Sequence, residues 1–194
     1  MNKVKAAVFA SGTGSNFEAM MNCKELACEI VLLVCDNPGA SVIEKATDFG
    51  VQTFVLNPKA FKDKHVYETE VLQVVRESEV EWIFLAGFMR LVGPTLLNAY
   101  QGKILNIHPS LLPAFPGKDA IGQAYRAGVE VTGVTVHYID EGMDTGPIIA
   151  QKQVEVLPED TEETLKYRIQ KVEHELYPEV INQVVRMKRL WPVE

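Results

Sequence analysis

The chain has 194 residues, 47% of them hydrophobic, which is enough for one sizeable core and sets a single domain spanning 1–194 as the expectation. Its 26 acidic against 19 basic side chains give a formal charge of −7, and no Lys/Arg-rich run offsets it, so nucleic acid is excluded as a main partner. No run nears the roughly 18 apolar residues needed to span a bilayer, which removes a membrane partner. Lys3 and Lys5 precede an apolar stretch too short for a signal peptide, and Cys23, Cys28 and Cys35 fit neither a CxxC nor a zinc spacing. A cytoplasmic protein with free thiols and no metal is expected.

Val4 to Ala10 is a compact apolar run bounded by a Gly-rich turn, the pattern of a strand buried on both faces. A helix follows from Ser15, where Ser15 and Glu18 have the spacing of a reciprocal capping box. Ile30 to Cys35 predicts a second strand. A helix over Ser41 to Phe49, stopped by Gly50, and a third strand over Thr53 to Leu56 come next. Lys64 to Ser78 has helical spacing of Val71, Leu72, Val74 and Val75, and Trp82 to Ala86 reads as a fourth strand. Pro94 opens a short helix, and Ile104 to His108 makes a fifth strand leading into the proline-rich loop HPSLLPAFPG.

The repeated strand–helix alternation predicts a doubly wound, mostly parallel Rossmann-like α/β sheet with helices on both faces and ligands at the carboxyl ends of the strands. After a helix over Lys118 to Ala127, strands Thr132 to Ile139 and Ile148 to Val156 flank a loop and predict an antiparallel C-terminal extension. The last helix is expected to start near Asp160, capped by its side chain, with Leu165, Ile169, Val172 and Leu176 as the buried stripe.

Three places could carry chemistry. Ser11-Gly12-Thr13-Gly14-Ser15-Asn16 joins a buried strand to a helix, and its glycines suit an anion cradle; a purely structural tight turn is an equal reading on spacing alone. The motif is neither GxGxxG nor a Walker loop, which weakens a nicotinamide or nucleoside triphosphate reading. Asn106 and His108 sit at i and i+2 on one face of a strand end, where an amide can donate to an oxyanion and an imidazole can trade protons. Alone, such a pair is more often a hydrogen-bonded core feature. The loop Asp140 to Pro147 is acidic and could bring a carboxylate to His108, although without context an acidic loop is more often an ordinary solvated turn.

Taken together, SGTGSN, AGFMR at Ala86 to Arg90, ILNIHPSLLPAFPG at Ile104 to Gly117, TGVTVHYID at Thr132 to Asp140 and DTGPII at Asp144 to Ile149 resemble one family across essentially the whole chain. That family is phosphoribosylglycinamide formyltransferase, a folate-dependent transferase of purine biosynthesis. The resemblance implies that His108 is the acid/base residue, that Asn106 stabilises the oxyanion, and that Asp144 orients His108 and raises its pKa. It implies a substrate phosphate at Gly14, Ser15 and Asn16, with Gln170 and Glu173 on the ribose and glycinamide, in an N-terminal half of about 1–100. The folate half, about 101–194, would take 10-formyltetrahydrofolate as cosubstrate without a metal. Its contacts would be Met89, Arg90, Leu91 and Val92 together with Asp140, Glu141, Gly142 and Met143. Lys64 stands where some relatives carry an arginine near the folate tail, and a lysine lacks the bidentate fork, so this contact departs from the pattern. The state of assembly, monomer or homodimer, stays open.

Three rival readings remain at this level. Formyltetrahydrofolate hydrolase shares the Asn, His and Asp, but usually carries an N-terminal regulatory domain for which a first strand at Val4 leaves no room. Methionyl-tRNA formyltransferase normally adds a C-terminal tRNA-binding domain and favours a basic surface. A non-catalytic nucleotide-binding module is disfavoured by the intact trio of Asn106, His108 and Asp144.

Overall fold

The computed structural model describes residues 3–190. Seven strands form one sheet: β1 (Val4–Ala10), β2 (Cys28–Cys35), β3 (Gln52–Val55), β4 (Trp82–Leu85), β5 (Ile104–His108), β6 (Val131–Tyr138) and β7 (Ile148–Glu155), in the order β3-β2-β1-β4-β5-β6-β7. The first five are parallel, and β6 and β7 continue the sheet antiparallel to their neighbours. Helices α1 (Ser15–Asn22), α2 (Val42–Asp48), α3 (Lys64–Glu77), α4 (Pro94–Ala99), α5 (Ala120–Ala127) and α6 (Glu162–Leu190) cover both faces. The expected doubly wound architecture with an antiparallel extension is therefore the observed one.

Double burial explains the unbroken apolar strands. Val4, Ala6, Val8 and Ala10 of β1 enter the core beneath α1, α2 and α6, while Ala7 and Phe9 enter a second core beneath α3 and α4. Strand order reverses between β1 and β4, so the chain leaves these neighbours in opposite directions and a crevice opens beyond their carboxyl ends. The cysteines are free thiols, and burial pushes that of Cys28 up to about 12.

Two expected caps are replaced. Gly14, not Ser15, occupies the N-cap of α1, with φ 74° and no side-chain cap bond, and Glu18 pairs with Lys45 of α2. The start is shifted by one residue, so Ser15 is already helical and cannot act as the cap. At α6, the carboxylate of Asp160 is held by both guanidinium nitrogens of Arg168 (2.6 and 2.8 Å) and is kept well below the usual carboxylate range by that pairing. Thr161 caps instead: its hydroxyl accepts from Thr164 N at 3.2 Å, while the Thr164 hydroxyl accepts from Thr161 N at 3.0 Å. The helix expected at Lys118 begins at Ala120, because Asp119 is left-handed (φ 56°).

Tyr177 of α6 is fully buried, and its hydroxyl donates toward the carbonyls of Leu85 (2.8 Å) and Leu105 (3.1 Å), fastening the helix to β4 and β5 just below Asn106. Tyr177→Phe removes this donor from a closed site, and a loss of about 1–2 kcal/mol is expected. Thermal denaturation should show a Tm lowered by about 2–8 °C; an unchanged Tm would show that the hydroxyl contributes nothing.

Candidate active site

The crevice at the β1/β4 switch holds a cavity of about 460 Å³. One end of it is the loop after β1. Ser11 N donates to Gly87 O (3.2 Å) and Met89 N to the Ser11 hydroxyl (3.0 Å), tying this loop to the one after β4. A Cβ at Gly14 would lie 2.5 Å from Val42 Cγ2, so both the conformation and the close approach to α2 require glycine. The first bond within α1 runs from Glu18 N to Gly14 O, which leaves the N–H groups of Ser15, Asn16 and Phe17 without intrahelical acceptors, Ser15 and Asn16 being part of the cavity lining. Asn16 Oδ1 is buried there with no partner. An uncapped helix N-terminus of this kind offers donors and a positive dipole end suited to an anion.

The opposite wall comes from β5 and its neighbours. Leu105 and Ile107 point into the core beneath α1 and α6, which sends Asn106 and His108 to the other side and into the cavity lining. His108 is buried, and its Nε2 lies 2.8 Å from Phe115 O. A carbonyl only accepts, so Nε2 carries the proton and Nδ1 is the variable nitrogen. That nitrogen stands 3.5 Å from Asp144 Oδ2. Asp144, left-handed at φ 55°, is held by a 2.7 Å bond from Gly117 N to the same oxygen. Phe115 is fixed in turn: Ser110 Oγ donates to Ala114 O (2.5 Å), and Thr135 of β6 donates to Ser110 O (2.7 Å) and accepts from Leu112 N (3.1 Å).

His137, to which sequence reasoning gave no role, stands opposite Asn106 in the β5/β6 register. Its Nδ1 donates to Tyr138 O (2.8 Å), and burial lowers its pKa, so the ring is neutral and Nε2 is an acceptor. Asn106 Nδ2 donates to that nitrogen at 3.2 Å, which fixes which way the amide faces. The only signal in the sequence was alternation along TGVTVHY; the partner of His137 required the register.

Of the residues expected at the site, Gly14, Ser15, Asn16, Met89, Arg90, Leu91, Val92, Asn106, His108, Asp140, Gly142, Met143, Asp144, Gln170 and Glu173 line the cavity. Lys64 and Glu141 do not. Lys64 is the first residue of α3, with its Cε 2.9 Å from where a Cβ on Gly93 would sit, and Glu141 is exposed. That loop is shaped by Asp140 Oδ1, which accepts from Gly142 N (3.0 Å) and the Thr145 hydroxyl (2.6 Å). Three apolar side chains at the cavity are exposed, Met89 by 61%, Leu91 by 49% and Met143 by 51%, a disposition suited to a flat apolar ligand. Among the described residues no group of three or more His, Cys, Asp or Glu side chains could hold a metal, and no helix is long and apolar enough to cross a membrane.

Comparison with known proteins gives the family. Residues 4–181 match the model of the formyl transferase family. The chain is 58% identical to phosphoribosylglycinamide formyltransferase of Bacillus subtilis, over 93% of this chain and 94% of that one. It is 38% identical to the trifunctional purine biosynthetic protein adenosine-3 of Drosophila melanogaster, over 93% of this chain but 14% of that longer protein. The crystal structure of glycinamide ribonucleotide transformylase 1 from Geobacillus kaustophilus superposes with a TM-score of 0.92 at 57% identity, covering 95% of this chain and 100% of that one. The chain belongs to the formyl transferase family. Within it, the full-length relatives place the chain among the phosphoribosylglycinamide formyltransferases, enzymes of purine biosynthesis.

Glu173 of α6 faces Asn16 and is 7% exposed, and burial raises its pKa to about 7, opposed by the Asn16 side chain and by Lys166. A carboxyl raised in the folded state adds most to stability below its ordinary value of 4.5, and that contribution is lost as pH rises through about 7. Glu173→Gln mimics the protonated form. In paired denaturation curves the variant should therefore gain stability relative to the native chain as pH rises from about 4.5 to about 8. A difference independent of pH would rule out the buried ionisation.

Proposed function

We propose that this chain transfers the formyl group of 10-formyltetrahydrofolate to the amine of 5-phosphoribosylglycinamide by direct attack of the amine. The observation that carries the reading is the convergence of Asn106, His108 and Asp144 on one wall of a cavity whose other end is the open N-terminus of α1. The phosphate would rest on Gly14, Ser15 and Asn16, and Gln170 and Glu173 would take the ribose and glycinamide. The folate would lie along Met89, Arg90, Leu91 and Val92, with the Asp140–Met143 backbone at its pteridine edge; it supplies the formyl carbon. Since Lys64 and Glu141 stand outside the lining, they would meet only parts of the ligand that extend past the cavity mouth.

The residues act where charge develops. As the amine nitrogen bonds to the formyl carbon, the carbonyl electrons move to oxygen. Asn106, already oriented by His137, has a second amide hydrogen to give that oxyanion. Nδ1 of His108, 3.5 Å from the Asp144 carboxylate that orients the ring, supplies another donor when it carries a proton. A proton then passes from the attacking nitrogen to the departing folate nitrogen, with the imidazole and carboxylate able to hold it between. Both donors interact more strongly with the oxyanion than with the starting carbonyl, which is what lowers the barrier.

Folate absorbance followed with and without phosphoribosylglycinamide tests the reaction: turnover is expected only with the amine, and amine-independent turnover would select the hydrolase. Asp144→Asn should lower kcat about 10²-fold or more while KM changes little. Unchanged kcat in the folded variant would end the role given to this carboxylate. His137→Phe removes the acceptor that sets the Asn106 amide, and a fall in kcat of about tenfold with KM retained is expected.

A further inference from the structure

The anion end of the cavity has a cation that none of the roles above uses. Helices α1 and α6 lie side by side and run in the same direction: Asn16 faces Glu173, Glu18 is near His174, and farther along Ala27 N donates to Asn182 Oδ1 at 2.6 Å. Moving toward the start of α6 therefore carries the chain past the N-terminus of α1, in the direction its free N–H groups point. Lys166, Gln170 and Glu173 line the cavity at i, i+4 and i+7 on one face of α6. Lys166 thus stands about 10 Å along the axis from Glu173, beyond Ser15.

The neighbouring charges leave Lys166 available. Glu162, one turn before it, faces Arg126 Nη1 at 3.6 Å, and Arg126 Nη2 also takes Asp119 at 2.6 Å. Both carboxylates are answered by the same guanidinium. Among the described residues Lys166 has no hydrogen bond and no ion pair, and its charge acts only at longer range on Glu173, opposing the rise in that carboxyl's pKa. The other lining cations lie elsewhere. The Arg90 guanidinium is over the Tyr67 ring, 5.6 Å from its centroid, and Lys118 follows Gly117, whose N–H holds Asp144 at the reacting end. Against these, the cavity is lined by Asp119, Asp140, Asp144, Glu162 and Glu173, in a chain of charge −7. A local positive charge adds to the pull of the α1 N–H groups on a phosphate dianion entering it.

We infer that Lys166 closes on the substrate's phosphate from the side opposite the α1 N-terminus, making it a substrate-specificity residue supplied by α6. The inference rests on the proposed transferase reading for the identity of the ligand, but not for the presence of a phosphate-bearing one. An exposed ammonium meeting phosphate in partial solvent contributes modestly and is screened by salt.

Lys166→Met, which keeps most of the side-chain stem, should raise KM for phosphoribosylglycinamide about three- to tenfold, with kcat and the KM for the formylfolate unchanged. Its KM should also depend less steeply on ionic strength. Lys171→Met is the charge control, since Lys171 lies over the Tyr167 ring (4.6 Å) and is absent from the cavity lining; its KM should match the native value. Calorimetry with ribose 5-phosphate, which requires no formyl transfer, should show weakened binding in Lys166→Met alone. If the native chain transfers no formyl group but ribose 5-phosphate binding still depends on Lys166, the transferase reading falls and the phosphate role stands. If Lys166→Met leaves KM and ribose 5-phosphate binding within twofold of native, if Lys171→Met loses as much, or if the native chain does not bind ribose 5-phosphate, the inference is overturned.

Discussion

Strand β1 pairs in parallel with β2 on one side and β4 on the other, so its backbone groups find partners on both edges although the strand is buried. Its small residues, Ala6, Ala7 and Ala10, let helices pack closely on both faces. Once β1 is central, the chain has to leave it toward β2 and leave β4 toward β5, so the two exit loops separate and a crevice forms between them. The same loops are kept from drifting apart by Ser11, bonded through its N–H to Gly87 and through its hydroxyl to Met89. The cavity is thus a consequence of strand order, and the cradle after β1 and the reacting wall on β5 face each other because only β4 separates their strand ends.

Within that cavity, fixed carbonyls decide what each histidine can do. Phe115 O assigns the Nε2 proton of His108, and Tyr138 O assigns the Nδ1 proton of His137. From two backbone acceptors follow a ring whose remaining nitrogen faces a carboxylate and a second ring whose remaining nitrogen orients an amide. The loops supplying these contacts are stitched to one another, since Gly117 N–H holds Asp144 and Thr135 holds the segment before Phe115. Disturbing either loop would therefore move the imidazole, the amide and the carboxylate as a set.

Charge is arranged with similar economy of groups. Arg126 answers Asp119 and Glu162, and Arg168 answers Asp160. Those pairings draw Asp119, Glu162 and Asp160 into local bridges near the starts of α5 and α6, which offsets part of the negative charge of a strongly acidic chain there.

The sequence by itself determined the alternation of strands and helices, the change to antiparallel pairing after α5, and the segments that meet at the site. Those features are written in runs of apolar residues and in spaced motifs, so they can be read locally; Asn106 and His108 stand out as a pair on one strand face, while Asp144 is singled out from its acidic loop by the family resemblance. Only the tertiary structure decided that Ser15 would not cap α1, that Asp160 would turn to Arg168, that His137 would orient Asn106, and that Lys64 and Glu141 would stand outside the lining. Each of these depends on which residue lies opposite in space. A one-residue shift of a helix start, the register of β6 on β5, or the direction of α6 along α1 decides that, and none of these leaves a mark in local composition.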